Sequence, residues 1–359
     1  MREGKVNIII GGQAGSEAKG KLSGWLCGKG DIDLLVMTSS PNAGHTLITP
    51  EGEKKVSYHL PVGMVMCNTP VLLGPASVID LDRLEKEIAG LGIDPPRVVV
   101  DKRASIITSY HRSSEKLARL SDIGSTLQGV GECRIGKMRR NGDQILAGHP
   151  AASRALNVMG IDVVDSIAKV INDSLQRNMR ILCETTQGFD LDLEHGIDPV
   201  YCTSKMINPS MALAELGVSP TFIGSVYGVI RPYPIRVNNR TGTSGPYDDA
   251  KEITWEEVAR RCKYPGKVED FGELTTTTRL PRRVFEFSRE RFRRFCMVCR
   301  PTHLCLQFAN YIDWDAYETT ERMELPESVL DWMMDYLGGW FNTVAYVGTG
   351  PGHQNMIEL

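Results

Sequence analysis

Short runs of consecutive apolar residues alternate with stretches of helical spacing along the first third of the chain. Residues 6–10, 34–37, 71–73 and 98–100 form such runs, which are typical of strands buried on both faces. Between the last two runs, residues 80–91 carry Leu or Ile at intervals of three and four, which predicts an amphipathic helix. Strands that alternate with helices predict an α/β fold, with a mainly parallel central sheet flanked by helices.

The same alternation continues along the rest of the chain. A helical pattern over residues 163–179 leads into a predicted strand at 180–183. Further strands are predicted at residues 221–227, 303–308 and 343–347, and further helices at 254–262 and 326–337. Residues 121–148 are rich in Gly and Arg with weak periodicity, and long irregular segments of this kind are often substrate loops. We therefore expect one domain over residues 1–359, with a substrate-loop region at about 121–148.

The charge balance and the apolar pattern disfavour two classes of partner. The formal net charge is −3, which gives no general affinity for polyanions, so we expect no direct nucleic-acid binding. No apolar run approaches the roughly 18 residues of a membrane span, so we expect no membrane partner. Nine scattered cysteines fit a reduced, cytoplasmic compartment better than a disulfide framework.

One group of cysteines has a spacing similar to that of zinc ligands. Cys296, Cys299, His303 and Cys305 lie within ten residues. However, His303 and Cys305 fall in the predicted strand 303–308, next to apolar residues. The pattern therefore favours buried thiols, with a zinc site as the alternative.

The strongest local motif is the glycine-rich segment at residues 11–21, between the first strand and a helix predicted at 19–27. Its G-x4-G-K pattern is close to a phosphate-binding loop, but Leu22 stands where that loop needs Ser or Thr for magnesium. Glycines let backbone N–H groups approach a phosphate, a helix N-terminus follows, and Lys19 and Lys21 add positive charge. The segment predicts a phosphate site, with a structural glycine turn as the alternative.

These residues and several later motifs resemble the adenylosuccinate synthetase family. GSEAKGK at residues 15–21 is similar to the family's GDEGKGK, and NAGHT at 42–46 is the same in both. The later matches, in chain order, are IGSTLQGVG from Ile123 with Lys137 and Arg140 after it, ETTQG at 184–188, DLEHG at 192–196, Arg236-Val237, the segment 271–279 and VGTGP at 347–351. The resemblance spans nearly the whole chain and implies the family's P-loop-related α/β fold.

The resemblance also implies a reaction and the positions that carry it. In this family a nucleoside triphosphate phosphorylates the 6-oxygen of a purine nucleotide, and the amine of aspartate then displaces the phosphate. The matching catalytic positions are Ser16, Lys19, His45 and Gln187. His45 is expected to stabilise the transferring phosphoryl group, and Gln187 to face the purine 6-oxygen.

The remaining site residues are also carried over by matching position. The triphosphate positions are Gly15, Ser16, Glu17, Ala18, Lys19, Gly20, Lys21, Gly44, His45, Thr46, Gln307, Asn310, Gly348, Gly350 and Pro351. The acceptor-nucleotide positions are Ser16, Asn42, Ser125, Thr126, Arg140, Gln187, Thr203 and Arg236. Among them, the resemblance implies that Asn42, Thr126, Thr203 and Arg140 bind the phosphate, with Arg140 reaching across a homodimer. The aspartate positions are Thr275, Thr276, Thr277, Thr278 and Arg279, and the implied cofactor Mg²⁺ would contact Ser16 and Gly44.

Two departures from the family pattern concern the choice of nucleotides. Ser16 replaces the aspartate that removes the N1 proton of IMP, and a serine hydroxyl cannot do this unaided. A smaller side chain leaves space beside C2, where guanine carries its extra amino group, so Ser16 favours a guanine nucleotide as acceptor. At Asn310 the family has the carboxylate that reads the base of GTP. Asparagine offers a donor and an acceptor, as adenine requires, so we expect ATP or dATP as donor. Adenine readout by backbone atoms is the alternative role for this segment.

Both departures resemble the viral branch of the family, which joins aspartate to dGMP on the way to 2-aminoadenine DNA. The sequence therefore predicts dGMP, L-aspartate and ATP or dATP as substrates, in a host cytoplasm. An ordinary adenylosuccinate synthetase acting on IMP, a catalytically inactive nucleotide-binding paralogue and an unrelated P-loop kinase are the alternatives. The retained His45, Lys19, Gln187 and Arg279 argue against an inactive paralogue, and Leu22 argues against the kinase.

Overall fold

The computed structural model describes residues 1–93, 97–237, 248–274 and 281–359. The strands in these ranges are β1 (Lys5–Gly11), β2 (Leu34–Met37), β3 (His45–Ile48), β4 (Lys54–Ser57), β5 (Val71–Leu73), β6 (Val78–Ile79), β7 (Val98–Asp101), β8 (Ser105–Ile106), β9 (Asp162–Val164), β10 (Arg180–Glu184), β11 (Ile223–Ile230), β12 (Ile235–Arg236), β13 (Glu252–Ile253), β14 (Arg283–Phe285), β15 (His303–Leu306), β16 (Val344–Gly348) and β17 (Met356–Glu358). The α-helices are α1 (Lys19–Gly28), α2 (Leu81–Leu91), α3 (Ser109–Leu117), α4 (Val130–Arg139), α5 (Pro150–Val158), α6 (Ile167–Gln176), α7 (Pro209–Leu216), α8 (Trp255–Arg261), α9 (Arg289–Cys299) and α10 (Glu327–Leu337).

Ten strands form one central sheet in the order β17-β16-β15-β11-β1-β10-β2-β5-β7-β9. Every neighbouring pair is parallel except β16 with β17. A second sheet, in the order β12-β14-β13, is antiparallel. The predicted α/β class, with a mainly parallel sheet, is confirmed.

Helices cover both faces of the central sheet, as the continuous apolar strands require. On one face, side chains of α1, α2 and α5 pack against the strands; examples are Leu22, Leu84 and Leu156, none of which is exposed to solvent. On the other face, α6 and α7 cover one half of the sheet, and α9 and α10 cover the other half. The protein is therefore a three-layer α/β/α structure.

The parallel arrangement brings the carboxyl ends of the inner strands to one edge of the sheet. Strand β1 pairs with β10 on one side and with β11 on the other, although both follow it much later in the chain. Crevices for ligands form at such points in α/β sheets. The loops that follow β1, β10, β2, β11 and β15 contain most of the predicted site residues.

The buried strands and most helices match the sequence prediction, with two corrections. The helix predicted over residues 163–179 is wrong at its start, because Val163 and Val164 belong to strand β9 and Ser166 caps α6 by accepting a hydrogen bond from Lys169 N. The segment 121–148 is not irregular throughout, since α4 occupies Val130–Arg139. Its weak amphipathic pattern reflects a helix in which Val130 and Cys133 are the buried residues.

The cysteine group that resembles a zinc site consists of buried thiols. Cys296 and Cys299 lie on α9 and pack in the core of one face, while Cys305 of β15 packs in the core of the other face. Burial raises the pKa of the Cys305 thiol to about 12. Among the described residues, no cluster of three or more His, Cys, Asp or Glu is placed to hold a metal ion.

No helix in the described part of the chain is long and apolar enough to cross a membrane.

The buried carboxylate of Glu87 and the His59 ring that it holds help to fix the start of helix α2. Glu87 accepts hydrogen bonds from the backbone N–H groups of His59 (3.0 Å) and Leu60 (2.8 Å). It also accepts one from His59 Nδ1 at 2.9 Å. The other ring nitrogen of His59 accepts from the backbone N–H of Asp80, the N-cap of α2.

We predict that Glu87→Ala destabilises the protein by about 3 kcal/mol, because it leaves several buried donors without an acceptor. Glu85→Ala, on the exposed side of the same helix, should change the free energy of unfolding by less than about 0.5 kcal/mol. Urea denaturation of both variants measures the difference. Equal stability of the two variants would contradict the role of Glu87.

Candidate active site

A pocket opens at the carboxyl edge of the sheet, next to the end of β1. Its lining comes from the glycine-rich loop and the start of α1, from residues 43–46 around the start of β3, from Gln187 in the loop after β10, and from two later segments. The lining residues are Gly15, Ser16, Ala18, Lys19, Gly20, Ala43, Gly44, His45, Thr46, Gln187, Arg282 and Phe308. The four positions predicted to be catalytic therefore lie around one pocket.

The glycine-rich loop packs directly against the backbone that follows β10. Gly15 has a φ of 97°, and a Cβ atom there would lie 3.3 Å from Gln187 Cα. A Cβ atom on Gly188 would lie 2.2 Å from the backbone oxygen of Gln13, which leaves no room for any side chain. Glycine is needed at both positions for the two segments to meet. Their contact places Gln187 beside the loop.

Helix α1 begins inside the pocket without a side chain that caps its N–H groups. Its N-cap, Ala18, has a left-handed backbone and makes no side-chain hydrogen bond to the helix. Uncapped N–H groups at a helix N-terminus form a site for anions. The Lys19 ammonium adds positive charge there and is held by Glu17 at 3.0 Å and by the backbone oxygen of Gly15 at 3.2 Å. The loop thus has the properties of a phosphate site.

His45, the first residue of β3, is oriented by a buried carboxylate. Its Nδ1 lies 2.5 Å from Glu184 Oε1, and the Glu184 side chain is inaccessible to solvent. Because Glu184 occupies Nδ1, the ring nitrogen left for a ligand is Nε2. A histidine fixed in this way can act on a reacting group in the pocket.

A buried ionic cluster supports the opposite wall of the pocket. Arg231, which follows β11 and is 1% exposed, is paired with Glu273 and donates to the backbone oxygen of Ser16 at 3.0 Å. Arg282 donates to the other oxygen of Glu273 at 3.0 Å. The guanidinium of Arg231 lies 4.1 Å from the ring centroid of Phe308. The cluster thereby fixes Ser16, Arg282 and Phe308 around one carboxylate.

The charges in this cluster stabilise one another. Burial disfavours the charge of Arg231, but Glu273 outweighs it and raises the pKa of Arg231. Burial also raises the pKa of Glu273, and the guanidinium groups of Arg231 and Arg282 more than reverse this and lower it. Both groups therefore stay ionised, and the wall presents a net positive charge to the pocket through Arg282.

Lys21 lies behind the pocket and is not one of its lining residues. Its ammonium donates to the backbone oxygens of Gly350 (2.5 Å) and Asn355 (2.6 Å). Burial lowers the pKa of Lys21 to about 7. The side chain joins helix α1 to the glycine-rich segment after β16. This contact brings Gly348, Gly350 and Pro351 close to the glycine-rich loop.

The segment predicted to read the donor base lies beside β16. Gln307 is buried, and its amide donates to Cys305 Sγ (3.1 Å) and Met356 Sδ (3.3 Å) rather than facing the pocket. A Cβ atom on Gly348 would overlap the Gln307 amide, so the two predicted donor segments are in contact. Asn310 is 5% exposed and follows Phe308, which lines the pocket.

The residues predicted to bind the acceptor phosphate come from three loops. Asn42 lies in the loop after β2, where its side-chain oxygen accepts from Ser40 Oγ at 2.8 Å. Ser125 and Thr126 lie before α4 and are half-buried. The third loop contains Thr203 and is joined to β12 by Arg236, which donates to the backbone oxygen of Tyr201 at 3.2 Å. The roles of these residues stay predictions.

Arg140 is not among the residues that line the pocket. Arg140 is exposed at the end of α4, with a left-handed backbone. The predicted aspartate residues Thr275, Thr276, Thr277, Thr278 and Arg279 lie outside the described residues. Arg282, which follows this segment closely in the chain, is described and lines the pocket.

Comparison with known proteins decides the family. The model of the adenylosuccinate synthetase family matches residues 8–156 and 151–329. The chain belongs to the adenylosuccinate synthetase family. It is therefore a ligase of the kind that forms a C–N bond with aspartate, as the sequence predicts.

Several relatives within this family are viral. The N6-succino-2-amino-2'-deoxyadenylate synthase of Vibrio phage phiVC8 is 33% identical over 86% of both chains. The corresponding enzyme of cyanophage S-2L is 36% identical over 79% of this chain and 76% of that protein. An adenylosuccinate synthetase of Methanococcus maripaludis is 31% identical over 98% of both chains.

Solved structures give the same result. The succinoaminodeoxyadenylate synthetase of cyanophage S-2L, bound to dGMP and to dATP as an energy donor, superposes with a TM-score of 0.82. It is 31% identical, with 99% of this chain and 95% of that chain covered. The adenylosuccinate synthetase of Plasmodium falciparum, at 20% identity and a TM-score of 0.82, shares the fold.

Several residues that shape this ligase site were not predicted from the sequence. Glu184 is the first residue of the ETTQG motif at 184–188, but no role was predicted for it. Arg231 is a single charged residue directly after the apolar run of β11, and this position at a strand's carboxyl end is a signal that could have found it. Glu273, Arg282 and Phe308 come together only in the folded chain.

We predict that Glu184→Gln lowers the kcat of the ligase about 10- to 100-fold, because carboxylates that orient an active-site histidine typically contribute this much. Phosphate release in the presence of donor, acceptor and aspartate measures the rate. Glu194→Gln, in an exposed loop, is the matched control and should leave kcat unchanged. An unchanged rate for Glu184→Gln, with the fold intact, would show that His45 does not depend on this contact.

Proposed function

We propose that this ligase joins L-aspartate to C6 of dGMP, with ATP or dATP as the energy donor. The product is 2-amino-2'-deoxy-N6-succinyladenylate, a precursor of 2-aminoadenine DNA. The observation that carries the proposal is Ser16, a pocket-lining residue at the position where the family has aspartate. It leaves space beside the purine C2 for the amino group of guanine.

The reaction follows from the groups around the pocket. The purine N1 proton passes to solvent as O6 attacks the γ-phosphorus of the donor, and the nucleoside diphosphate departs. The aspartate amine then adds to C6, and inorganic phosphate departs as the nitrogen loses a proton. Lys19 and the N-terminus of α1 stabilise the charge on the phosphates, while His45 and Gln187 bind the phosphoryl group and O6.

Aspartate binding is assigned to the wall next to the acceptor. Residues 275–279 are proposed to bind the aspartate carboxylates together with Arg282, which lies in the pocket lining. A guanidinium suits this role because its N–H groups match the geometry of a carboxylate. Glu273 would hold Arg282 in place, since it accepts a hydrogen bond from it at 3.0 Å.

Magnesium is proposed to enter with the triphosphate. The pocket lining offers the hydroxyl of Ser16 and backbone oxygens such as that of Gly44, but the lining residues include no carboxylate. Mg²⁺ commonly keeps several waters and takes further ligands from substrate phosphates. The residues present therefore fit the ion when phosphate oxygens complete its coordination, and the ion would neutralise charge on the transferring phosphoryl group.

A homodimer is proposed to complete the acceptor site. Arg140 lies on an exposed helix end, close to the exposed apolar side chains of Ile135 (42%) and Met138 (70%) on the same helix. In a dimer these apolar side chains would be covered, and Arg140 would reach the acceptor phosphate of the partner subunit.

We predict that the purified protein, with ATP, magnesium and aspartate, uses dGMP with a kcat/KM at least about tenfold above that for IMP. Mass spectrometry of the nucleotide product measures both reactions. The match to archaeal adenylosuccinate synthetases over 98% of the chain makes IMP the second candidate acceptor. Turnover of IMP at a rate equal to or above that of dGMP would refute the proposal.

The steric role of Ser16 has its own test. Ser16→Asp should lower kcat/KM for dGMP about 10- to 100-fold, because the larger side chain would crowd the 2-amino group. Ser16→Ala is the matched control and should keep most of the preference for dGMP, since it leaves the space open. If Ser16→Asp has no effect on dGMP turnover, the steric account is wrong even where dGMP is the substrate.

Donor choice is proposed to depend on Asn310, which can donate to and accept from adenine. Asn310→Asp should shift the preference toward GTP about tenfold, because a carboxylate accepts from guanine and repels the acceptor N1 of adenine. Asn157→Asp, which adds the same charge on the exposed side of helix α5, should leave donor preference unchanged. Little change in Asn310→Asp would favour backbone readout, and an unmodified protein that prefers GTP would refute the donor assignment.

A further inference from the structure

Two separate loops supply the residues proposed to bind the acceptor phosphate, and Arg83 lies between them. Its Nη1 donates to the backbone oxygen of Pro41 at 2.5 Å, next to Asn42. The same nitrogen donates to Gln128 Oε1 at 3.1 Å, two residues after Thr126. We propose that Arg83 is a positioning residue that sets the distance between these two loops and thereby the affinity for the acceptor nucleotide. The proposal rests on the proposed function, together with the family resemblance that puts the acceptor phosphate at Asn42 and Thr126.

Gln128 transmits the position of Arg83 to the residue that would touch the phosphate. While its oxygen accepts from Arg83, its amide nitrogen donates to the backbone oxygen of Thr126 at 2.9 Å. Both ends of this side chain are therefore held. On the other side, the bond to Pro41 fixes the backbone immediately before Asn42. One guanidinium thus holds both halves of the proposed phosphate site.

Arg83 is itself held in place. It lies in the first turn of α2, where its backbone N–H donates to Asp80, the N-cap. Its guanidinium carbon lies 4.0 Å from the ring centroid of Tyr58, a distance at which a cation is attracted to the ring face. The side chain is half-buried, so both of its contacts are partly shielded from water.

A second set of contacts holds the Thr126 loop from the opposite end. Asp80 also accepts a hydrogen bond from Arg112 on α3, which joins α2 to α3. Glu115 on α3 accepts from the backbone N–H groups of Gly129 (2.7 Å) and Gly131 (3.0 Å) at the start of α4. The loop is thus fixed by Glu115 at its end and by Arg83 within it. Arg83 connects this loop to the Asn42 loop.

Phosphate sites made of hydroxyl and backbone N–H groups need correct spacing, because a displacement of about 1 Å costs much of the binding. A site held before the ligand arrives also binds more tightly, since no ordering is needed on binding. Removing the Arg83 contacts should therefore weaken the acceptor nucleotide specifically. The triphosphate loop is held by other residues, Glu17 and Lys19 among them, and should be unaffected.

The test compares KM values for the three substrates. Arg83→Ala should raise the KM for dGMP about 10- to 100-fold, with the KM values for ATP and aspartate and the kcat changed by less than about threefold. Arg83→Lys keeps a donor for Pro41 and should recover part of the affinity. Arg261→Ala is the matched control. It removes a guanidinium on helix α8 that is held by two carboxylates, those of Glu257 and Glu286. It should leave all three KM values unchanged.

Two variants of Gln128 test the transmission. Gln128→Ala should raise the KM for dGMP, and Arg83→Ala combined with Gln128→Ala should be no worse than the more severe single variant. Gln128→Glu keeps an oxygen for Arg83 but loses the donor to Thr126, so it should also raise this KM. Calorimetric titration with dGMP checks the same order of affinities without turnover, and circular dichroism checks the fold.

The proposal is overturned if Arg83→Ala changes the KM values for dGMP and ATP equally, leaves both unchanged, or combines additively with Gln128→Ala. These outcomes are distinct from failure of the proposed function. If the unmodified protein prefers IMP, the same variants can be measured with IMP, because both nucleotides carry the 5'-phosphate that the two loops would bind.

Discussion

The contact between the glycine-rich loop and the backbone after β10 is the constraint on which the rest of the site depends. No side chain fits at Gly188, where a Cβ atom would lie 2.2 Å from the backbone oxygen of Gln13, and Gly15 has a φ of 97°, which other residues rarely adopt. This contact is possible because β1 and β10 are parallel neighbours whose carboxyl ends lie at the same edge. It brings the loop that suits a triphosphate next to Gln187, the residue proposed to meet the purine oxygen. A phosphoryl group can therefore pass between the two nucleotides over a short distance.

Around this contact the protein keeps titratable side chains buried in pairs. Lys19 is paired with Glu17, His45 with Glu184, and Arg231 with Glu273. Burial of a single unpaired charge would cost several kcal/mol, so a charged side chain at such a position needs a partner. The partners also fix the direction of each side chain before any substrate binds. Such a fixed arrangement stabilises developing charge without the reorganisation that water would need.

Much of the fold could be predicted because buried parallel strands are recorded in the sequence as apolar runs. The predicted bounds at 34–37 and 71–73 agree with strands β2 and β5. The start of α6 was wrong, because Val163 and Val164 fit an apolar helix face as well as they fit the edge strand β9. Helix α4 was missed, because only Val130 and Cys133 are buried on it, so its amphipathic pattern is weak.

The pocket was predictable only as far as its residues occur in contiguous motifs. Ser16, Lys19 and His45 belong to such motifs, and the structure brings them together. Glu273 and Arg231 are more than 40 residues apart, and their pairing depends on a fold-level contact that no local pattern records. Arg83 was missed for the same reason, since its two acceptors belong to loops separated from it by 42 and 45 residues.

The two departures from the family pattern share one physical feature that explains how specificity can change while the chemistry stays. At Ser16 and at Asn310 the family carboxylate is replaced by a neutral polar side chain. In the proposed function each position faces a nucleotide base, Ser16 at N1 and C2 of the acceptor and Asn310 at the adenine of the donor. Lys19 and His45, the residues proposed to stabilise the transferring phosphoryl group, are retained with their partners. Removing a carboxylate at the edge of a base changes which hydrogen bonds and which volume are available there, by the equivalent of about 1–3 kcal/mol for each polar match. Selection for new purines could therefore act on these two positions while the residues proposed to bind the phosphoryl group stay the same.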